Sequence, residues 1–339
     1  MPAAGGTKPT STVAKVSLQT SAEGHDERET PMARPFRFAV QVCGAATGAE
    51  WRDKARRVEA LGFDLLSVAD HFGHGLGAVA ALTAAAAATT TLRLGSYVVA
   101  NDFRHPAVLA KEAATLDLLS DGRLELGIGA GWMRAEYEAA GIPFDPPAVR
   151  VARLEEAIRL VELLWADGPT TFVGEHYRTT GLDLGPTPIQ RPHPPILVGG
   201  GGRRLLEVAG RQADIVGLAP AARGDGSLDP TTVTAAATER KLGWLREAAG
   251  PRFEALELNV FVYAVETTGD ERATAERLAA EFELSAPELL ASPHALFGSV
   301  DGMIATLRKR RDRFGISSIT VVEDLMDAIA PVVAELAGA

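Results

Sequence analysis

A closed (β/α)8 barrel is the fold class this sequence predicts, and three observations carry it. From Phe36 onward, short apolar runs alternate with helix-length amphipathic segments. The alternation repeats eight times, and a strand that returns through a helix lies parallel to its predecessor. It is interrupted once, by a hairpin-like insertion before the fifth strand. Eight units match a closed barrel better than an open doubly wound sheet, the alternative. An open nucleotide-binding sheet calls for Gly-x-Gly-x-x-Gly after the first strand. The only comparable run, Gly127-Ile128-Gly129-Ala130-Gly131-Trp132, follows the fourth strand and carries its third glycine too early.

The elements follow in order. The first strand is expected over 36–42. A helix over 50–61 places Trp51, Ala55, Val58 and Leu61 on one face, and Gly62 ends it. The second strand is expected over 63–69, an Ala-rich helix over 77–90 and the third strand over 92–99. A helix over 106–119 stops at Ser120-Asp121-Gly122, before the fourth strand at 123–128. The helix over 149–165 has the clearest period, with Val151, Leu154, Ile158, Val161 and Trp165. Over 170–194 a hairpin turns at Gly174-Glu175, and a link rich in proline follows (Pro186, Pro188, Pro192, Pro194, Pro195). The fifth strand is expected over 196–198, a helix over 204–211 and the sixth strand over 214–218. A looser stretch with Gly224 and Gly226 precedes a helix over 231–249. The seventh strand falls at 257–265, a helix at 270–282, the eighth strand at 317–322 and a closing helix at 325–336.

Composition narrows the function classes. The chain has 339 residues, 46% hydrophobic and 23% charged, which is ordinary globular usage. Its formal charge of −10 is the reverse of a nucleic-acid footprint. One cysteine, Cys43, permits neither an internal disulfide framework nor a Cys-rich metal site, and a cytoplasmic location fits. The longest apolar run, near residues 78–88, contains Thr83 and is too short to span a bilayer. Residues 1–34 lack an apolar signal core and are expected to form a disordered tail before a domain over 35–339. Met32, just before the first strand, is a second candidate translation start.

In such a barrel, chemistry sits where strands end. The second strand ends in Asp70-His71, a carboxylate and an imidazole suited to proton handling or cofactor contact. The bland alternative is a turn-capping Asp and a surface His. The third strand contains Tyr97-Val98 and runs through Ala100 to Asn101-Asp102, which are rim residues or turn formers. The glycines at 127, 129 and 131 admit either a flat ligand or a tight turn, and Trp132 offers a stacking wall. Gly199 to Gly202 followed by Arg203 and Arg204, at a helix start, combine free N–H groups, helix polarity and positive charge, as a phosphate site requires. A flexible linker is the other reading. Histidines are scattered, so no metal site is expected.

Together these segments resemble the bacterial luciferase-like superfamily, in its branch that uses the deazaflavin coenzyme F420. The resemblance runs from about Phe36 to Gly338. It rests on Gly62-Phe63-Asp64 through Asp70-His71 and on Leu94-Gly95-Ser96 through His105-Pro106. It rests further on Leu116 to Arg123 with Gly127 to Trp132, on Pro194 to Gly202, and on Gly315-Ile316-Ser317 with Pro331 to Gly338. It implies a TIM barrel with an insertion before strand 5 and a flavin-like ring in the barrel mouth. Asp70 and His71 would stand beside that ring, His71 as proton donor or acceptor and Asp70 against the coenzyme. Tyr97-Val98 falls where the family often has a non-proline cis peptide backing the ring. By the same resemblance Ala100, Gly129 and Ala130 line the coenzyme, and Gly200, Gly201, Gly202, Arg203 and Arg204 hold its phosphate. Phe103, Trp132 and Tyr97, with the 170–185 insertion, would wall the pocket for a small-molecule substrate.

The chain departs from the pattern twice. Trp132 replaces the catalytic glutamate of the branch's sugar-phosphate dehydrogenases, which argues against that substrate. Ala130 replaces the phosphate-gripping arginine of the flavin-mononucleotide luciferases. The expected activity is a hydride transfer between the deazaflavin C5 and an organic substrate. The alternative is an FMN-dependent monooxygenase served by a separate reductase, and a catalytically silent flavin-binding barrel is a third reading. A homodimer is expected by resemblance alone.

Overall fold

The structure is a computed structural model that describes residues 34–221 and 229–339. Apart from Arg34, the expected tail lies outside the described residues, as do Gly224 and Gly226. The strands, in chain order, are β1 (Arg37–Gln41), β2 (Leu65–Val68), β3 (Arg93–Ser96), β4 (Val99–Ala100), β5 (Leu124–Gly129), β6 (Thr170–Val173) and β7 (Arg178–Leu182). They continue with β8 (Ile196–Gly200), β9 (Ile215–Leu218), β10 (Glu257–Val262), β11 (Ala264–Thr267), β12 (Ala295–Gly298) and β13 (Ile316–Val322). The helices are α1 (Gly48–Ala60), α2 (Ala78–Ala86), α3 (Pro106–Leu119), α4 (Arg134–Ala140), α5 (Pro147–Trp165) and α6 (Arg203–Gln212). They end with α7 (Ala235–Ala249), α8 (Glu271–Leu278), α9 (Ala286–Ala291), α10 (Val300–Phe314) and α11 (Met326–Leu336).

Eight of these strands close a parallel barrel. The hydrogen-bonded order is β3-β2-β1-β13-β10-β9-β8-β5, and β3 pairs with β5 to close it. The open sheet is thereby excluded. Strands buried on both faces read as continuous apolar runs, which is why they were legible in the sequence. All six residues of β5 and all four of β9 are buried.

The barrel floor is ionic. Glu125 on β5 takes Arg37 from β1 and Arg93 from β3 on the same carboxylate oxygen. Arg37 also pairs with Glu257 on β10 at 2.9 Å. Burial alone would lower the basicity of Arg37, but the two carboxylates reverse that and raise it.

Local signals hold at most boundaries. α1 starts where the Thr47 hydroxyl accepts from Glu50 N at 3.1 Å. α3 opens with Pro106 and spans the expected residues. The hairpin forms as β6 and β7, and Glu156 on α5 accepts from the N–H groups of Glu175, His176 and Tyr177 at its turn. The proline-rich link is pinned by buried Asp117 of α3, which accepts from Ile189 N and Gln190 N at 2.7 and 3.0 Å. Two X-Pro bonds in that link, Gly185-Pro186 and Arg191-Pro192, are cis.

Two strands depart from expectation. The third strand is not continuous to Val99: it breaks between β3 and β4 at Tyr97-Val98, whose peptide is cis. The seventh breaks at Tyr263, where β11 leaves the barrel to pair with β12. The β12 strand and the helices α4, α9 and α10 were not anticipated. The β12 strand is legible only by partner: it buries Ala295 and Phe297 in a satellite cluster with Ala275 and Leu289.

The α2–β3 link carries a stability prediction. Glu59 Oε1 accepts from Thr90 N, Thr91 N and Leu92 N at 2.8, 2.7 and 3.0 Å. Burial pushes its pKa up, but these backbone bonds win and hold it down to about 2, against an ordinary 4.5. Its stabilisation is therefore present above pH 4.5 and lost as pH falls towards 2. Glu59→Ala is expected to cost about 1–3 kcal/mol at pH 7. Denaturation of both proteins over that range should show the difference shrinking as the wild type is protonated.

Candidate active site

Parallel closure brings the C-terminal ends of β2, β4, β5 and β8 to one end of the barrel, and nearly every residue singled out in the sequence lies there. Asp70 and His71 follow β2. Tyr97 and Val98 join β3 to β4, and Ala100 ends β4. Phe103 closes the short turn after it. Gly129 ends β5, with Ala130 and Trp132 beyond it. Gly200 ends β8, and Gly201, Gly202, Arg203 and Arg204 lead into α6.

Asp70 and His71 point to different partners, as neighbours at a strand end do. Asp70 Oδ2 accepts from Ala100 N at 3.2 Å, and Oδ1 from Arg104 Nη2 at 3.0 Å. Its carboxylate thus bolts the end of β2 to the turn after β4. His71 Nδ1 lies 2.8 Å from Glu136 Oε2. The carboxylate accepts, so Nδ1 is the donor of this bond, and Nε2 is the ring nitrogen left for proton exchange. Glu136 is 9% exposed, and its other oxygen accepts from Phe72 N at 3.2 Å. Trp132 stands edge-on to His71, ring centroids 6.0 Å apart, and remains 42% exposed.

Glu136 is the member of this cluster that sequence reasoning missed. Trp132 occupies the position directly after the glycines, and a carboxylate reaches the histidine from the first turn of α4 instead. The run Trp132-Met133-Arg134-Ala135-Glu136 held the signal, an acid one helical turn past the aromatic residue, but nothing local ties it to residue 71.

Several strand-end glycines are packed against the Ser96–Val98 connection. A Cβ at Gly129 would lie 2.7 Å from Val98 Cγ2, one at Gly199 3.3 Å from Val98 Cγ1, and one at Gly217 3.0 Å from Tyr97 Oη. A Cβ at Gly127 would strike the Ser96 carbonyl oxygen. Gly129, Gly199 and Gly217 therefore clear space for the Tyr97 and Val98 side chains, and Gly127 for the Ser96 carbonyl. Tyr97 Oη donates to Asn259 Oδ1 at 3.0 Å, and Asn259 Nδ2 donates to Ser318 and Thr320. Burial raises the Tyr97 pKa, so the phenol stays neutral. The 130–132 loop is held by Arg150, which donates to the carbonyl oxygens of Ala130 (3.0 Å) and Gly131.

The rim is aromatic. Phe72, 59% exposed, packs on Phe103 at 4.4 Å, and Phe103 on Tyr137 at 5.2 Å. Across the mouth, N-cap Gly202 offers no side-chain acceptor to the first turn of α6, and that turn holds no acid. Arg203 is exposed and paired with Glu207 at 2.7 Å and Glu247 at 3.5 Å. Arg204 is exposed beside it.

The family model described as luciferase-like monooxygenase matches residues 29–325. The chain belongs to this family. Among curated relatives, it is 38% identical over 172 residues to the F420-dependent glucose-6-phosphate dehydrogenase of Intrasporangium calvum, covering 48% of this chain and 51% of the relative. It is 31% identical over 203 residues to the FMNH(2)-dependent dimethylsulfone monooxygenase of Pseudomonas putida, covering 54% and 56%. The matches thus span about half the length of each. An F420-dependent secondary alcohol dehydrogenase, solved with an F420-acetone adduct, superposes with a TM-score of 0.69 at 19% identity, over 89% of this chain and 99% of the other. The coenzyme F420 dependent tetrahydromethanopterin reductase from Methanopyrus kandleri gives 0.71 at 17%, over 89% and 98%. These likenesses establish the luciferase-like TIM barrel. No helix among the described residues is long and apolar enough to cross a membrane.

Proposed function

We propose that this chain is an F420-dependent oxidoreductase, with the barrel over 35–339 as its catalytic domain. The observation that carries the reading is the His71–Glu136 pair at the barrel mouth, opposite an uncapped helix start that follows four glycines. The name of the Intrasporangium calvum relative and those of the superposed structures support the coenzyme. When bound, F420 would supply a hydride donor or acceptor at its C5, and the organic substrate would be reduced or oxidised there.

The chain's own residues fit such a group. Gly200, Gly201, Gly202 and the first turn of α6 offer N–H groups and helix polarity to its phosphate. Arg203 shares its charge with two glutamates, so Arg204 is the freer cation of the two. Val98, seated on the glycines, and Tyr97 would back the ring, with Ala100, Gly129 and Ala130 around it. Asp70 serves by holding the Ala100 edge in place and offers the coenzyme a carboxylate already neutralised by Arg104. His71 donates or accepts the proton that accompanies hydride transfer, and Glu136 holds its tautomer. Phe103 and Trp132 wall a substrate pocket suited to an uncharged organic molecule rather than a sugar phosphate.

A second reading, an FMN-dependent monooxygenase fed by a separate reductase, draws on the Pseudomonas putida relative. Fluorescence-quenching titrations with F420 and with FMN decide between them. Micromolar or tighter binding of F420 alone is expected, and preference for FMN would overturn the proposal. A homodimer and a cytoplasmic location complete it. α3 exposes Val108, Leu118 and Leu119, an apolar surface available to a second copy.

A further inference from the structure

The strongest unexplained group outside the site is a buried lysine. Lys241, on α7, is 1% exposed. Its Nζ donates to Ala219 O and to Thr232 O, each at 2.8 Å. These two carbonyls flank the connection between β9 and α7, so one ammonium ties both of its ends. Ala221 N donates to Thr232 Oγ1 at 2.9 Å, which closes the base.

The first residues of that connection, 219–221, pack directly on the glycine run. Ala219 N donates to Gly200 O at 3.2 Å. A Cβ at Gly201 would lie 2.5 Å from Ala219 O and 2.7 Å from Ala221 N. Lys241 is thus one residue removed from the cradle: its partner, Ala219, is the surface against which Gly200 and Gly201 rest.

We infer that Lys241 is a positioning residue of the anion cradle, holding the post-β9 segment against Gly200 and Gly201 and placing a positive charge behind them. The inference rests on the proposal that this cradle receives a phosphate-bearing coenzyme. A latch alone does not call for a charge, and burying one is costly without a compensating partner. Among the described residues, the groups facing Lys241 are Arg240 from its own helix, Asp229 from the connection and His294 from the segment before β12. Arg310 also acts on His294 and is held by the carbonyls of Ser292 and Ala295, at 2.6 and 2.7 Å. Burial, then Arg240, bring the Lys241 pKa down to about 8, against the opposing pull of Asp229. His294 is pressed down to about 3 and stays neutral, while Arg310, lowered to about 10, stays charged through pH 9.

Proton loss separates charge from latch. A neutral amine keeps two N–H groups, enough for Ala219 O and Thr232 O, so raising the pH through 8 removes the charge and leaves the hydrogen bonds. The two consequences have opposite signs. The unfolded chain binds the proton more tightly between pH 8 and 10.5, so this group's contribution to stability rises with pH there. Affinity for an anion behind which the charge stands falls as the pH rises through 8.

The test is a set of fluorescence titrations at pH 7 and pH 9 on the full chain, Lys241→Met and Lys241→Arg. The probes are F420 with its phosphate-free deazaflavin chromophore, and FMN with riboflavin. Wild type is expected to lose roughly tenfold in affinity for the phosphate-bearing member between the two pH values and little for the phosphate-free one. Lys241→Arg should hold its pH 7 affinity at pH 9. Lys241→Met should bind weakly at both, and if it fails to fold, the wild-type and arginine series decide alone. Equal losses for both members of a pair, or no pH dependence in the wild type, overturn the inference while the coenzyme reading stands. Binding of neither pair overturns both.

Discussion

His71→Ala is expected to lower turnover by about 10²–10⁴-fold, with coenzyme affinity changed by less than about threefold. The expectation follows from the site's division of labour. The cradle that would hold the coenzyme lies on β8 and α6, whereas His71 lies after β2 and is oriented by Glu136. Removing the imidazole deletes the proposed proton carrier without disturbing the cradle. Glu136→Gln is the subtler variant. An amide can present either N–H or C=O to Nδ1, so the tautomer is no longer dictated, and a loss of about 10–100-fold is expected. The order of the two losses is the informative result, read by following coenzyme absorbance with a substrate that supports turnover. Full turnover by His71→Ala with bound coenzyme would remove His71 from the chemistry.

Glu125→Ala should be among the most destabilising single changes, at about 3–5 kcal/mol. Glu125 is 5% exposed and joins Arg37 and Arg93, so the carboxylate ties β1, β3 and β5 at the barrel floor. Its loss leaves Arg37 with Glu257 and Arg93 with Gln190, bonded at 3.0 Å, as their remaining side-chain partners. Burial then works against the Arg37 guanidinium with less to oppose it. Glu125→Gln, which keeps an acceptor but no charge, should cost less, about 1–2 kcal/mol. The floor is at the opposite end of the strands from His71, so coenzyme affinity should survive at low temperature. Urea denaturation checks the order, and a cost below about 1 kcal/mol for Glu125→Ala would show that the floor relaxes or admits water.

Much of this protein was legible along the chain. Apolar runs bounded by turn residues located the barrel strands because each is buried on both faces, a condition written within five or six consecutive residues. The α3 boundaries could be read from Pro106 at one end and Ser120-Asp121-Gly122 at the other, because caps are local. The glycines after β8 and the Asp70-His71 pair announced a mouth for the same reason.

What tertiary structure decided is which of these residues meet. Glu136 reaches His71 across 65 positions, and no spacing rule links them. Val98 occupies the room left by Gly129 and Gly199, so these two glycines serve the protein's own packing. Arg203 spends its charge on Glu207 and Glu247. The β11–β12 pair stayed hidden because its short strands are stabilised by each other and by a satellite cluster, not by a pattern of their own. Sequence by itself determined the barrel strands, most of the helices between them and the strand ends where the proposed site lies, since backbone preference and burial act over a few residues. Only barrel closure determined the His71–Glu136 contact, the ionic floor and the lysine behind the cradle, since those pairings exist only once distant strands are side by side.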